Sequence, residues 1–299
     1  MVTRRQLLHL SGSAGALAVL GPAAAEAEAE PSLPAPIRAL ESLTDGVEPI
    51  SAEEHQARMD RARSLMAEAS LDALVLGPGS GLLYFTGARW HLSERFFGMV
   101  LPRSGEPAWV TPAFERDRAL ERIQVGKDVR PWEEDASPYA LVGRILKDRG
   151  LTTGRIGIEE AMPFAFSDGI AQAVPAARLA SATAVTAGCR MVKDAHELAL
   201  MGRAAEITRR AHRAVFASLQ EGTTVEEARE WCVAAHRRVG VRGGAMVLFG
   251  PDAAFPHGTS TPQPLRKGDV VLIDGGGRLH GYASDITRTA VFGAPPTDR

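Results

Sequence analysis

Two aspartates and a histidine are the residues best placed to do chemistry. The stretch Lys267-Gly268-Asp269-Val270-Val271-Leu272-Ile273-Asp274-Gly275-Gly276-Gly277 contains a strongly apolar strand, 270–274, that ends in a carboxylate and three glycines. After a short turn a β-favouring run, 282–292, returns and carries Asp285 within Ser284-Asp285-Ile286-Thr287-Arg288-Thr289. Two such runs joined by a short turn predict a hairpin. The midpoint between Asp274 and Asp285 falls between Leu279 and His280. A hairpin folding symmetrically there sets the two aspartates face to face, with Cβ atoms about 4.5–5.5 Å apart. Carboxylates that close repel, so either one holds a proton or a cation lies between them. A pair of divalent ions about 3.5–4 Å apart suits the spacing. All-oxygen ligands fit Mn²⁺ or Mg²⁺, and any histidine widens the choice to Zn²⁺ or Co²⁺. The plainer alternative is a turn aspartate beside glycines and an ordinary surface aspartate.

His257 stands in Phe255-Pro256-His257-Gly258. Between Pro and Gly it lies in a loop, not on a core face. There it could hydrogen-bond a substrate or shuttle a proton, or simply face solvent. His212 lies on or beside an apolar helical stripe and is expected to be a satisfied helix histidine. Cys189 and Cys232 are expected to be buried or free thiols, too few for a disulfide framework or a four-thiolate zinc site.

These residues need elements to position them. From residue 53 the pattern alternates. Residues 53–69 predict a helix, and 72–76 a short apolar strand stopped by Gly77-Pro78-Gly79-Ser80-Gly81. That glycine cluster resembles half a nucleotide-binding loop. No Gly-Lys-Ser/Thr follows, and Leu82-Leu83-Tyr84-Phe85 is strand-like, so a tight turn is expected. Strands at 97–101 and 108–111, helices at 113–122 and 138–149 and a strand at 155–159 complete an α/β unit. A second unit begins near 190. Its long helix, 194–219, carries the stripe Leu198, Met201, Ala205, Thr208, His212, Val215, Leu219. Thr224 with Glu227 predicts a capping box for the next helix, which stops at Gly240.

Composition narrows the classes. The chain has 299 residues, 45% hydrophobic and 23% charged, with 34 Lys+Arg against 36 Asp+Glu. A net charge of −2 leaves no basic excess for nucleic acid. Residues 1–27 open Thr3-Arg4-Arg5 and run through an interrupted apolar stretch to Ala23-Ala24-Ala25, which resembles a twin-arginine signal. The stretch is shorter than the roughly 20 apolar residues of a membrane span, so a periplasmic or secreted protein without stable membrane insertion is expected. Residues 28–52, rich in Pro, Glu and Ala, predict a solvated linker.

Taken together, the motifs resemble the pita-bread metallopeptidases, a family that includes aminopeptidase P, prolidase, methionine aminopeptidase and creatinase. Leu265 to Gly276 is similar to the family's first metal-aspartate strand, and Tyr282 to Thr289 to its second, with the family's ten-residue gap between the aspartates. Pro256-His257 resembles its substrate-site histidine, and Arg190 to Leu198 the approach to its first catalytic-domain helix. Leu71 to Leu76 and Tyr84-Phe85-Thr86-Gly87 resemble the creatinase/prolidase-type N-terminal domain. The resemblance implies an α/β N-terminal domain over 53–187 followed by the first half of an α+β pita-bread domain over 188–299. It implies Asp274 and Asp285 as ligands of two divalent ions, Mn²⁺ foremost with Zn²⁺ or Co²⁺ as alternatives, and His257 as a catalytic residue. The implied substrate is a short peptide, with Pro at its second position, and relatives with this N-terminal domain imply a homodimer.

The family's remaining ligands, one His in a Gly-His-Gly-rich motif and two Glu, lie downstream of the aspartate hairpin, and no such motif precedes Arg299. His280 and Glu159 fit neither the order nor the context. A C-terminally truncated chain with little hydrolytic activity is therefore expected. Two other readings share the fold: a creatinase-like hydrolase or lyase of a small non-peptide, and a non-catalytic binding protein.

Overall fold

The computed structural model describes residues 33–296. The signal-like stretch 1–27 and the first part of the expected linker lie outside the described residues. The chain runs α1 (Ala35–Arg38), α2 (Ala52–Glu68), β1 (Ala73–Leu76), α3 (Ser80–Thr86), β2 (Gly98–Pro102), β3 (Ala108–Pro112), α4 (Arg116–Arg122), β4 (Asp128–Trp132), α5 (Pro138–Asp148), β5 (Arg155–Ile158), α6 (Phe164–Ala173), β6 (Arg178–Ser181) and α7 (Thr183–Arg190). It continues through α8 (Ala195–Ser218), α9 (Val225–Arg238), β7 (Arg242–Phe249), β8 (Val270–Leu279), β9 (Tyr282–Ala283) and β10 (Ile286–Val291). Among the described residues no helix is long and apolar enough to cross a membrane.

The first thirteen elements, α1 aside, build a three-layer α/β domain. Its mixed sheet has the order β4-β3-β2-β1-β5-β6. β1 is antiparallel to β2 and parallel to β5, so the chain enters the sheet at its centre. Successive side chains of a strand point to opposite faces. Leu74 and Leu76 therefore pack with Met59, Met66, Phe85 and Trp109 on one face, and Val75 with Ile145, Ile156 and Ile170 on the other. Each fully buried Leu or Phe of this kind contributes about 1.5–3 kcal/mol.

The glycine cluster at 77–81 differs from expectation. A helix, α3, begins at Ser80. Glu159, 4% exposed, lays its carboxylate across the start of this helix. A Cβ at Gly81 would fall 2.0 Å from its Oε1, so only glycine fits. Burial pushes this carboxyl up, while the N–H groups of Gly77 and Gly81, donating to it, pull it back. The anion-cradling shape is real, and the chain fills it with its own side chain. The strand-like run 82–85 is helical because Leu82 and Phe85, three residues apart, both reach the core.

The second region is simpler. β10, β8 and β7 form an antiparallel sheet, with β9 pairing the far end of β8. Helices α8 and α9 pack on one face. Both helices, like α2, open with a capping box: Ser51/Glu54, Asp194/Glu197 and Thr224/Glu227. A side-chain N-cap of this kind contributes on the order of 1 kcal/mol. The buried face of α8 is Leu200, Ala204, Ile207, Thr208, Ala211, His212 and Val215. Leu198 and Met201, expected on that stripe, are exposed. At this end the buried stripe runs through Glu197, Leu200 and Ala204, which turns Leu198 and Met201 to solvent.

The expected linker is a correction. Residues 35–50 are packed: Ile37, Leu40 and Ile50 are buried, and α1 contacts α8 and α9. The prolines that suggested solvated chain instead punctuate a strap whose apolar residues find the helices. Cys189 and Cys232 are buried and free, as expected.

Candidate functional site

Asp274 and Asp285 lie on the face of the β7–β8–β10 sheet that α8 and α9 leave open. Ile273, beside Asp274, is fully buried toward the helices, and alternation turns Asp274 the other way. Ser284, beside Asp285, hydrogen-bonds Thr208 of α8 at 2.6 Å, which turns Asp285 to the same open face. The N–H of Gly277 donates to both hydroxyls at 3.2 Å, pinning the hairpin to the helix beneath.

The aspartates do not stand directly opposite one another. Asp274 pairs with Thr287 and, on its other side, with Met246. The turn is the two-residue loop His280-Gly281, with φ +48° and +97°, between the paired Leu279 and Tyr282. Such φ values mark the type I′ turn that suits the twist of a hairpin. The centre of the turn therefore lies one residue later than the symmetric expectation, and every partner moves by two. Both carboxylates keep their face and become diagonal neighbours, a relation with Cα atoms about 7–8 Å apart.

The three glycines after Asp274 allow close approach. A Cβ at Gly276 would come within 1.9 Å of the Ser284 carbonyl oxygen. Thr287 donates its hydroxyl to Asp274 Oδ1 at 2.5 Å, which orients one aspartate from across the ladder. Thr287 had no separate signal in the sequence; its role follows only once the register is known.

His257 is exposed, in the turn after a short 3₁₀ segment, Gly250–Ala254. Its loop crosses the aspartate-bearing face. A Cβ on the adjacent Gly258 would sit 3.0 Å from Leu248 and 4.0 Å from Met246, the cross-strand partner of Asp274. The loop is tied down further on by Leu265, fully buried, whose backbone exchanges bonds of 2.8 and 2.9 Å with Gly222 and Thr223. β7, which was not foreseen, supplies the floor for this loop.

On the covered face the structure corrects the reading of His212. The ring is 1% exposed and neither nitrogen has a hydrogen-bond partner. Burial holds its pKa down, to about 4, helped by His236 and Arg288 and opposed by Asp274. His236 is satisfied through Nδ1, 2.8 Å from the Cys232 carbonyl.

As a donor set, two carboxylates on one open face suit a hard divalent cation. Among the described residues no group of three or more His, Cys, Asp or Glu side chains gathers to hold a metal. Asp274 and Asp285 thus fit as part of a ligand set.

Comparison with known proteins agrees with this architecture. Residues 58–192 match the creatinase/prolidase N-terminal domain, and 199–299 match metallopeptidase family M24. The chain is 33% identical over 253 residues to a probable dipeptidase PepE of Mycobacterium tuberculosis, covering 83% of this chain and 66% of that protein. It superposes on the crystal structure of dipeptidase PepE from Mycobacterium ulcerans with a TM-score of 0.74 and 31% identity, over 84% of this chain and 68% of that one. A prolidase from Thermococcus sibiricus gives a TM-score of 0.73 at 26% identity, over 81% and 66%. The chain thus spans about two thirds of the length of these relatives. By domain order, fold and sequence, it belongs to metallopeptidase family M24, with a creatinase/prolidase N-terminal domain and a pita-bread catalytic region.

Proposed function

We propose that the protein is a metal-dependent exopeptidase that removes the N-terminal residue from short peptides, with Pro favoured at the second position. One observation carries the proposal: Asp274 and Asp285 share an open sheet face that the His257 loop also crosses. The relatives named as dipeptidase and prolidase support the substrate class. Divalent ions, Mn²⁺ foremost, held there would supply Lewis-acid polarisation of the scissile carbonyl. The chain's own part is to place charge and hydrogen bonds. Thr287 fixes the rotamer of Asp274, and Thr208 through Ser284 fixes the link between β9 and β10 that carries Asp285. His257, on the exposed loop that crosses this face, would donate a hydrogen bond to the substrate oxygen or a proton to the leaving amine.

The test is a Mn²⁺ titration of the purified chain beside Asp274→Asn and Asp285→Asn, with Ala-Pro and creatine offered as substrates. Each substitution is expected to remove Mn²⁺ binding. Two carboxylates are a minority of a catalytic ligand set, so turnover by this chain is expected to be weak and to prefer Ala-Pro. Mn²⁺ binding that survives both substitutions would sink the reading. The proposal extends to a homodimer and to export by residues 1–27. Replacing Arg4 and Arg5 together by Lys should then keep the protein inside the cell.

A further inference from the structure

A cavity of about 580 Å³ opens where the N-terminal domain meets the tip of the β8–β9 hairpin. Small-molecule sites commonly fall between about 300 and 1,000 Å³. Four cationic side chains line it, Arg58, Arg89, Arg190 and Lys193, against one carboxylate, Glu197. That carboxylate is already engaged. It accepts from the Tyr282 hydroxyl at 2.9 Å and from the Asp194 N–H at 3.0 Å, and lies 3.5 Å from the Arg58 guanidinium. Arg58 is 6% exposed, bonded to the Tyr84 carbonyl and the Tyr282 hydroxyl, and its Nε has no hydrogen-bond partner.

The other three cations are differently placed. Among the described residues, Arg89, Arg190 and Lys193 form no salt bridge. Glu159, whose field reaches Arg190, is itself bonded to the Gly77 and Gly81 N–H groups. Unpaired like charges around a concave wall focus a positive potential into it. Ile50, Leu83 and Met191 give the wall an apolar part, beside the polar His55, Ser80, Gln124 and His280. The site is distinct from the aspartate pair. At strand rise Asp274 stands roughly 20 Å back along β8 from His280, and Asp285 roughly 10 Å beyond Tyr282.

We propose that this cavity binds a small amphipathic organic anion, with its acid group among Arg89, Arg190 and Lys193 and its apolar body against Ile50, Leu83 and Met191. The inference is independent of the peptidase reading. A ligand there would touch α2, α3, the link from α7 to α8 and the turn His280-Gly281 at once, and so bridge the two domains.

Isothermal titration calorimetry on the whole chain tests it, with 4-phenylbutyrate, its neutral amide 4-phenylbutyramide and inorganic phosphate as probes. Phenylbutyrate is expected to bind one to one, at least tenfold more tightly than the amide, and to slow amide hydrogen exchange at Gly281 and Tyr282. The double variant Arg89→Gln/Lys193→Gln should weaken it at least tenfold while leaving the unliganded Tm in place, since both side chains are exposed. Met191→Glu, at a side chain 71% exposed, should do the same by setting a carboxylate against the ligand's own. Competition by phosphate would extend the acid group to phosphates and supports the proposal. It is overturned if the amide binds as well as the acid, if the double variant binds unchanged, if phosphate binds and phenylbutyrate does not, or if no probe binds.

Discussion

The two sheets of this chain are built from similar strands and differ in how many faces are covered. The six-stranded sheet is buried on both sides, and β1, β2 and β3 are buried at every residue. The β7–β8–β10 sheet is covered by helices on one side only, and β8 alternates: Val271, Ile273 and Leu279 are buried, while Val270 and Arg278 are exposed. A sheet sealed on both faces can contribute packing alone. A sheet sealed on one face can put carboxylates on the other at little cost in stability, and Asp274 and Asp285 occupy that position. The six-stranded sheet is thus a stability element, and the proposed metal site lies where helices are missing.

The sharpest way to break this contrast is at Trp109, fully buried in the first sheet with its indole N–H bonded to the Val125 carbonyl. Trp109→Ala should lower unfolding free energy by about 3–5 kcal/mol, as read by urea denaturation. A loss under 1 kcal/mol would mean that the first sheet is not the stabilising one.

Next in size is the covered face of the second sheet. His212, buried in contact with His236, has its folded-state pKa lowered by burial to about 4 from an ordinary 6.5, with the charge of Asp274 across the sheet opposing the shift. Above pH 6.5 neither folded nor unfolded state takes the proton. As pH falls from 6.5 towards 4 the unfolded state takes it and the folded state does not, so stability declines across that window and levels below it. The full span is worth roughly 3 kcal/mol. His212→Leu should flatten that part of a stability–pH curve, and an unchanged slope would remove His212 as its cause.

The smallest effect should come from the open face. Thr287→Val removes the bond that orients Asp274. It is expected to weaken Mn²⁺ binding about tenfold, near 1.4 kcal/mol, while unfolding free energy moves by no more than about 0.5 kcal/mol. A variant that lost both in equal measure would show that the open face also holds the fold.

Much of this was legible in the sequence, because local rules agreed with the fold. Thr224 and Glu227 announced a helix start, and the apolar run 270–274 with its glycines announced the strand and the face of Asp274. What could not be read depended on distant partners. The turn at His280-Gly281 rather than one residue earlier is a contest between two nearly equivalent centres, decided partly by Gly281 packing against Leu83 and by His280 reaching the Val47 carbonyl at 3.0 Å. The start of α3 depends on Glu159, far along the chain. Residues 35–50 read as linker because the helices that bury Ile37 arrive much later.

The contact of Arg58 with Tyr282 and Glu197 has one more consequence. Arg58 belongs to the N-terminal domain, Tyr282 and Glu197 to the catalytic region, and all three are wholly or partly buried at the seam. Separating the domains breaks the Arg58–Tyr282 bond, a hydrogen bond to a charged group worth about 1.5–3 kcal/mol, and with it the Arg58–Glu197 ion pair. Local opening that separates the domains is therefore as costly as a large share of global unfolding. Heat should melt both as a single cooperative unit, with calorimetric and van't Hoff enthalpies equal.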